Sequence, residues 1–269
     1  MKCVKKMTMN ISGIITTLNE ENNILECIIS LQQICNEVIV IDSGSNDQTV
    51  SIAEKAGAKV YHQSYLGDGI QKNVALQYVQ NDWVFSLDAD ERLTLESAKL
   101  IENIDLSTSP FYGFAVKRKN FIGSRWIRCC GWYPNYLVRL YNHKKIRFSD
   151  VKQHAAVPLG NTQKLACDIL HYRYKNIGEL FAKPGRDYVN RSAKIIYLKG
   201  GKVNFFTPFH HAYWSFIGNY LFRKGFTHGI DGFTLALSIA CNTYLKYAKV
   251  LEYKRDSKVR ENEDFSQIW

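Results

Sequence analysis

Four short apolar runs, largely β-branched, punctuate the first hundred positions, with helix-length segments between them. Ile11–Thr17 (ISGIITT), Glu37–Asp42 (EVIVID), Ala58–His62 (AKVYH) and Trp83–Leu87 (WVFSL) read as strands. The first, second and fourth are apolar nearly throughout, as in strands covered on both faces, which is the habit of a parallel sheet. Between them, Ile24, Leu25, Ile28, Ile29 and Leu31 recur at helical spacing, Thr49–Ala56 reads as a helix closed by Gly57, and Gln71–Leu76 lies on a third. Strand–helix alternation with short loops specifies a three-layer α/β sheet with right-handed crossovers. Ligands of such sheets collect at the carboxyl ends of the strands.

Three of those ends are polar: Thr17-Leu18-Asn19-Glu20, Asp42, and Asp88-Ala89-Asp90-Glu91. Asn19 is expected to cap the helix that follows it. Ser43, Ser45 and Asn46 are on hand for the turn after Asp42, which leaves that carboxylate for a ligand. Asp88 and Asp90 are two apart, so in extended backbone they face the same way. Two such acids repel unless a cation or a hydrogen-bonding ligand lies between them. Taken alone, a D-x-D is more often a solvated acidic turn, and Lys72 a solvated helix lysine. The chain has no G-x-G-x-x-G after a strand and no G-x-x-x-x-G-K-[ST], so neither the dinucleotide fingerprint nor the P-loop applies.

Ile14–Glu20 (IITTLNE), Val38–Asp47 (VIVIDSGSND), Gln71–Leu76 (QKNVAL) and Phe85–Glu91 (FSLDADE) together resemble, in order and spacing, the blocks of family 2 glycosyltransferases with the GT-A fold. The resemblance implies an inverting transferase that uses a nucleotide-activated sugar and a divalent metal. It implies that Thr17, Asn19, Glu20, Asp42, Gly44, Lys72, Asp88 and Ala89 contact the donor nucleotide. Asp42 would accept from a base N–H, Lys72 would lie near the base or diphosphate, and Asp88 would hold ribose hydroxyls or the metal's water shell. Asp90 would bind the metal directly, with Asp88 beside it. Oxygen ligands suit Mg²⁺ or Mn²⁺. Arg92 is expected to pair with Glu91 or to cover the sheet edge.

Beyond Leu93, Leu95–Ile104 reads as a helix and Phe111–Lys119 as a strand, followed by a stretch dense in aromatic and basic residues. Its Arg125-Trp126, Gly131-Trp132-Tyr133-Pro134-Asn135, Arg139-Leu140-Tyr141, Arg147-Phe148-Ser149-Asp150 and His154-Ala155 resemble bacterial lipopolysaccharide core glycosyltransferases that add a β-linked glucose to inner-core heptose. Asn135 and Ala155 stand where that pattern has Asp and Glu. Inversion needs a base for the acceptor hydroxyl. The candidates are Asp150 and His154, with the carboxylate preferred. Trp132 is a candidate for stacking on a sugar, and Arg139 and Arg147 for contacting phosphate of the donor or of the acceptor. No RNP-like motif accompanies the aromatics, so nucleic acid is not an expected partner.

Charge divides the chain. Residues 1–110 hold eight Lys and Arg against fifteen Asp and Glu, whereas residues 111–269 hold twenty-seven against ten. The basic half is expected to face something anionic. Val203–Phe222 contains no charged side chain but carries Asn204, Pro208, His210, His211 and Asn219, too polar for a comfortable membrane span. Together with Gly232–Leu245 and their flanking bases it reads as helices lying on an anionic leaflet, or alternatively as a homodimer interface. The expected organisation is a catalytic domain over 1–175, with a nucleotide-sugar half (1–105) and an acceptor half (106–175), then a helical region over 176–269. Seven scattered cysteines without C-x-x-C, and no leader pattern, point to a cytoplasmic protein at the inner face of the membrane. The expected reaction moves a hexose, glucose from UDP-glucose first, onto a lipopolysaccharide or lipooligosaccharide inner core. The alternatives are transfer to a peptide or another surface glycan, and a non-catalytic nucleotide-sugar-binding or membrane adaptor.

Overall fold

The computed structural model describes residues 10–149, 161–182, 185–256 and 258–259. The chain divides into two compact units, Met1–Lys119 with Asn135–His171, and Asn120–Pro134 with Tyr172–Trp269. The segment 120–134 groups with the C-terminal helices, and 135–171 with the first unit.

In chain order the first unit comprises β1 (Ile11–Thr17), α1 (Ile24–Leu31), β2 (Glu37–Asp42), α2 (Thr49–Lys55), β3 (Lys59–His62), α3 (Asp68–Ala75), β4 (Trp83–Asp88), β5 (Glu91–Leu93) and α4 (Leu95–Glu102). It also holds most of β6 (Gly113–Ile122) and β9 (Thr162–Tyr174), and all of β8 (Tyr136–Asn142); β7 (Arg125–Ile127) pairs with the far end of β6. The strands run β3-β2-β1-β4-β8-β6-β9-β5. The first four are mutually parallel, and β8, β6 and β5 are antiparallel to β4, β8 and β9 respectively. This is the mixed sheet of the GT-A fold.

Side-chain alternation along the strands divides the core between two faces. Ile11, Ile15, Val38, Val40, Phe85 and Leu87 pack with Ile24, Ile28 and Leu31 of α1 and with Ala98 and Ile101 of α4. Ile14, Ile39, Ile41 and Val84 face the other way, onto Ala75, Leu76, Tyr141 and Phe148. Apolar runs covered on both faces are what made these strands legible. Neither β5 nor the full length of β9 is expected from the sequence. Their register sets Glu91 opposite His171, so a residue eighty positions downstream is brought beside the acidic turn.

The second unit contains α5 (Ile177–Ala182), α6 (Gly185–Leu198), α7 (Thr207–Ile217), a π-helical turn over Gly218–Phe222, a 3₁₀ turn over Gly225–His228, and α8 (Gly229–Arg255). Ile122, Ile127, Tyr174, Leu180 and Leu235 form one cluster of this unit, and Ala193, Val250 and Tyr253 another. Among the described residues no helix is long and apolar enough to cross a membrane. Phe206, Phe209, Tyr213 and Trp214, on or beside α7, are nevertheless exposed.

Phe85 is fully buried at the centre of β4. Phe85→Ala is expected to remove about 3–5 kcal/mol of stability, read from urea unfolding.

Candidate active site

Two loops at the carboxyl ends of β1 and β2 are sewn together by hydrogen bonds. The Asn19 amide donates to Ser45 Oγ (2.8 Å), and the Asn46 amide donates to Asn19 Oδ1 (2.9 Å). The Glu20 amide donates to Thr49 Oγ1 (2.8 Å), the Glu21 amide to Asp47 Oδ2 (3.2 Å), and the Gln48 amide to Glu21 Oε2 (3.1 Å). Asn19 takes the left-handed conformation (φ 54°) that an Asn tolerates, and α1 starts five residues later, after Asn23. Asn19 is therefore a link between loops, and the expected helix cap is corrected. Glu20 holds the entry to α1, its Oε2 accepting from Asn23 Nδ2 at 2.7 Å.

Asp42 is buried, and its carboxylate faces its own turn. Oδ2 accepts from the amides of Gly44 and Ser45, both at 2.9 Å, and Oδ1 accepts from Ser45 Oγ. Gly44 permits this turn because its φ is +103°. The expectation that neighbouring residues would serve the turn and leave Asp42 free is thus corrected: Asp42 holds the turn itself. A carboxylate offers about four lone-pair positions, so acceptor capacity remains on Oδ1. Thr17, at the end of β1 and in register with Asp42, is buried with its Oγ1 unpartnered among the described residues.

The acidic turn after β4 is anchored from inside the protein. Glu91 is fully buried, and its Oε2 accepts from the Asp88 amide at 3.0 Å. Arg139, on β8 and also buried, places Nη2 2.6 Å from Glu91 Oε1 and 3.1 Å from Asp88 Oδ2. Arg118 Nη1 lies 3.5 Å from Glu91 Oε1. Lys72, 3% exposed on α3, contacts Asp88 Oδ1 at 2.7 Å and Asp68 Oδ1 at 2.8 Å, with its ammonium 5.2 Å from the Phe148 ring centre. Burial alone would raise the Asp88 carboxyl, but Lys72 and Arg139 hold it well below the usual range. Burial likewise opposes the charge on Lys72, yet Asp88 and Asp68 outweigh it and its pKa is raised.

These contacts revise three expectations. Arg139 is a buried partner of two carboxylates and not a cation offered to an incoming phosphate. Lys72 likewise spends its charge on Asp68 and Asp88. Arg92 does not pair with Glu91; it reaches Glu26 Oε2 at 2.5 Å and Asn23 Oδ1 at 3.1 Å. Ala89 is buried between the two aspartates. Arg147 is exposed, its Nε donating to the His143 carbonyl at 3.3 Å. Trp132 belongs to the second unit, where its ring stacks near Tyr174. Asp150 and His154 lie outside the described residues.

Asp90 differs from its neighbours. Its side chain is about one-fifth exposed, and its Oδ2 lies 3.3 Å from His171 Nε2. Sequence reading did not single out His171 as functional, because nothing local marks it; only the β5–β9 register places it. Among the described residues no group of three or more His, Cys, Asp or Glu gathers as a metal cluster. Asp90 and His171 form a two-donor set, which fits a hard divalent cation that takes its remaining ligands from phosphates and water.

The sequence profile of Glycosyl transferase family 2 matches residues 12–150, which include all of these strand ends. An uncharacterized glycosyltransferase of Rickettsia conorii is 34% identical over 266 residues, covering 94% of each chain. The chain belongs to glycosyltransferase family 2. This glycosyltransferase is also similar to LpsC of Rhizobium meliloti, a lipopolysaccharide core biosynthesis glycosyltransferase, at 28% identity over 94% of this chain and 96% of that one. Its fold is shared with Staphylococcus aureus TarS 1–349, solved in complex with UDP-GlcNAc, at a TM-score of 0.50 and 18% identity over 92% of each chain.

Arg139→Met leaves Glu91 buried without its main partner, and is expected to cost about 3–5 kcal/mol. Adding Glu91→Met should recover part of that loss, as a double-mutant cycle by chemical denaturation will read. Because the folded pKa of Asp88 is depressed, its contribution is complete above the ordinary carboxylate pKa of about 4 and drains away as pH falls below it. Wild-type stability is expected to fall below about pH 4, and Asp88→Asn to flatten that part of the profile.

Proposed function

We propose that this glycosyltransferase moves a hexose, with glucose from UDP-glucose as the first candidate, onto the inner core of a lipopolysaccharide or lipooligosaccharide with inversion at the anomeric carbon. The observation that carries the reading is the acidic turn after β4, where buried cations answer Asp88 and leave Asp90 beside His171. The likeness to LpsC supports the acceptor class.

In this reading the stitched loops after β1 and β2 receive the nucleotide, with Thr17 Oγ1 and the spare capacity of Asp42 as polar contacts. Asp88, fixed and ionised, orients ribose hydroxyls as an acceptor. Asp90 and His171 would hold Mn²⁺ or Mg²⁺, which when bound supplies Lewis-acid stabilisation of the departing diphosphate. The proton of the attacking hydroxyl passes to a base on the segment after Phe148, with Asp150 assigned and His154 the second candidate. The basic half and the exposed aromatics of α7 support a peripheral place at the inner face of the membrane.

The test is nucleoside diphosphate release from a panel of UDP-sugars with Mn²⁺, with and without core glycolipid. UDP-glucose with acceptor is expected to give the fastest release. Asp90→Ala is expected to lower turnover by about a hundredfold or more, the scale of a lost Lewis-acid contact. His171→Ala should raise the Mn²⁺ concentration needed for half-maximal rate by about ten- to a hundredfold, consistent with loss of one protein donor. Unchanged turnover in Asp90→Ala sinks the metal assignment. UDP-sugar binding without any turnover would mark a binding module instead.

A further inference from the structure

The second unit contains a cavity of about 600 Å³ that the transfer chemistry does not use. Arg128, Arg223, Lys224 and His228 line it, together with the aromatic rings of Tyr133 and Phe222. Among the described residues no carboxylate lines it. Asp231, which is close in sequence, has its own partner in Arg125 (2.7 Å). Several cations converging without a counter-charge make a site with an anion's signature.

The backbone around the cavity is held in unfavourable conformations. Lys224 is left-handed (φ 58°, ψ 32°), a conformation that favours Gly or Asn over a long side chain. Cys130 is left-handed as well (φ 55°). The turn is fixed from both sides. The Cys130 amide donates to the Arg223 carbonyl at 2.9 Å, and Gly232 packs so closely on Gly225 that a Cβ there would collide with the Gly225 carbonyl oxygen. Gly131 leaves room for the Arg223 guanidinium, which would lie 3.3 Å from a Cβ at that position. A strained lysine kept in place by its surroundings, and directed into a cationic cavity, points to a ligand.

The rim shows what carries the anion. Phe222 is 78% exposed while lining the cavity, and Leu221, Phe226 and Ile230 close by in the chain are also exposed. A soluble phosphate would have no use for these side chains, whereas a lipid phosphate brings acyl chains with it. We propose that this cavity binds the phosphate-bearing headgroup of a membrane lipid, with Phe222 and its exposed neighbours entering the acyl boundary. The inference rests on the membrane-side reading above and adds to it a specific headgroup site.

The test is flotation of the full chain with phosphatidylcholine vesicles, with and without phosphatidic acid, beside calorimetry with soluble glycerol 3-phosphate. Vesicle binding is expected only when phosphatidic acid is present, with glycerol 3-phosphate bound more weakly. Lys224→Gly suits the left-handed backbone, so its Tm should equal or exceed that of the wild type, while vesicle binding weakens roughly fivefold, the worth of one cation near an anionic surface. Arg128→Gln should weaken binding similarly. Phe222→Ser should lower flotation and leave glycerol 3-phosphate binding unchanged. If phosphatidic acid vesicles bind the wild type and both charge variants equally, the headgroup site is overturned and the membrane-side reading stands. If no vesicle binds, both fall. If glycerol 3-phosphate binds and vesicles do not, the ligand is a soluble phosphate and the lipid assignment fails.

Discussion

A buried guanidinium organises the catalytic unit. Arg139 joins two carboxylates that belong to the same acidic turn, Asp88 by its side chain and Glu91 from the fully buried side. Without that cation Glu91 would sit in the core answered by the more distant Arg118 guanidinium and the Asp88 amide, a costly state for a buried carboxylate. Lys72 adds a second cation on the opposite oxygen of Asp88. The outcome is a division of labour among four closely spaced residues. Glu91 is an anchor, Asp88 is a fixed and ionised acceptor, Ala89 is filler, and Asp90, partly exposed like Asp88, lies beside His171. Internal neutralisation on this scale lets an acidic turn stay rigid before any ligand arrives, which is the preorganisation that binding a charged donor requires.

The same economy governs the neighbouring strand ends. The loops after β1 and β2 exchange five hydrogen bonds, so neither can move without the other. Their polar residues mostly serve each other. What they leave for a ligand is a few unspent acceptors, in keeping with sites whose specificity comes from a small number of well-placed polar groups.

Much of the architecture was legible in the sequence because double-sided burial leaves a plain mark. EVIVID and ISGIITT could hardly be anything but central strands, and β1 and β2 fall on those residues. The acidic turn was legible as a candidate site for a similar reason, since clustered carboxylates need an explanation. Partner choice was not legible. Asp42, Lys72 and Arg139 each carry a charge that suits a ligand, yet each is engaged within the protein, and sequence spacing cannot tell a charge that is spent from one that is free. Arg92 reaches a helix sixty-six residues away and not the adjacent Glu91. His171 was invisible as a candidate because strand register alone places it beside Asp90. Composition pointed to a basic C-terminal half, but only the backbone around Lys224 distinguishes a shaped cavity from an ordinary basic surface.

The interrupted course of the chain has a consequence for how the protein is made. Residues 120–134 leave the first unit and residues 135–171 return to it, so strand β9 and its His171 are the last parts of that unit to be synthesised. Asp90 emerges eighty-one residues before its imidazole neighbour, a delay of roughly four to sixteen seconds at typical elongation rates. Throughout that interval the parallel strands can assemble while β5 has no partner strand, and for the first forty-eight residues after it is made Glu91 also waits for Arg139. The nascent enzyme therefore spends its early life with Lys72 already made for Asp88, while Glu91 and Asp90 still await the partners that complete the turn.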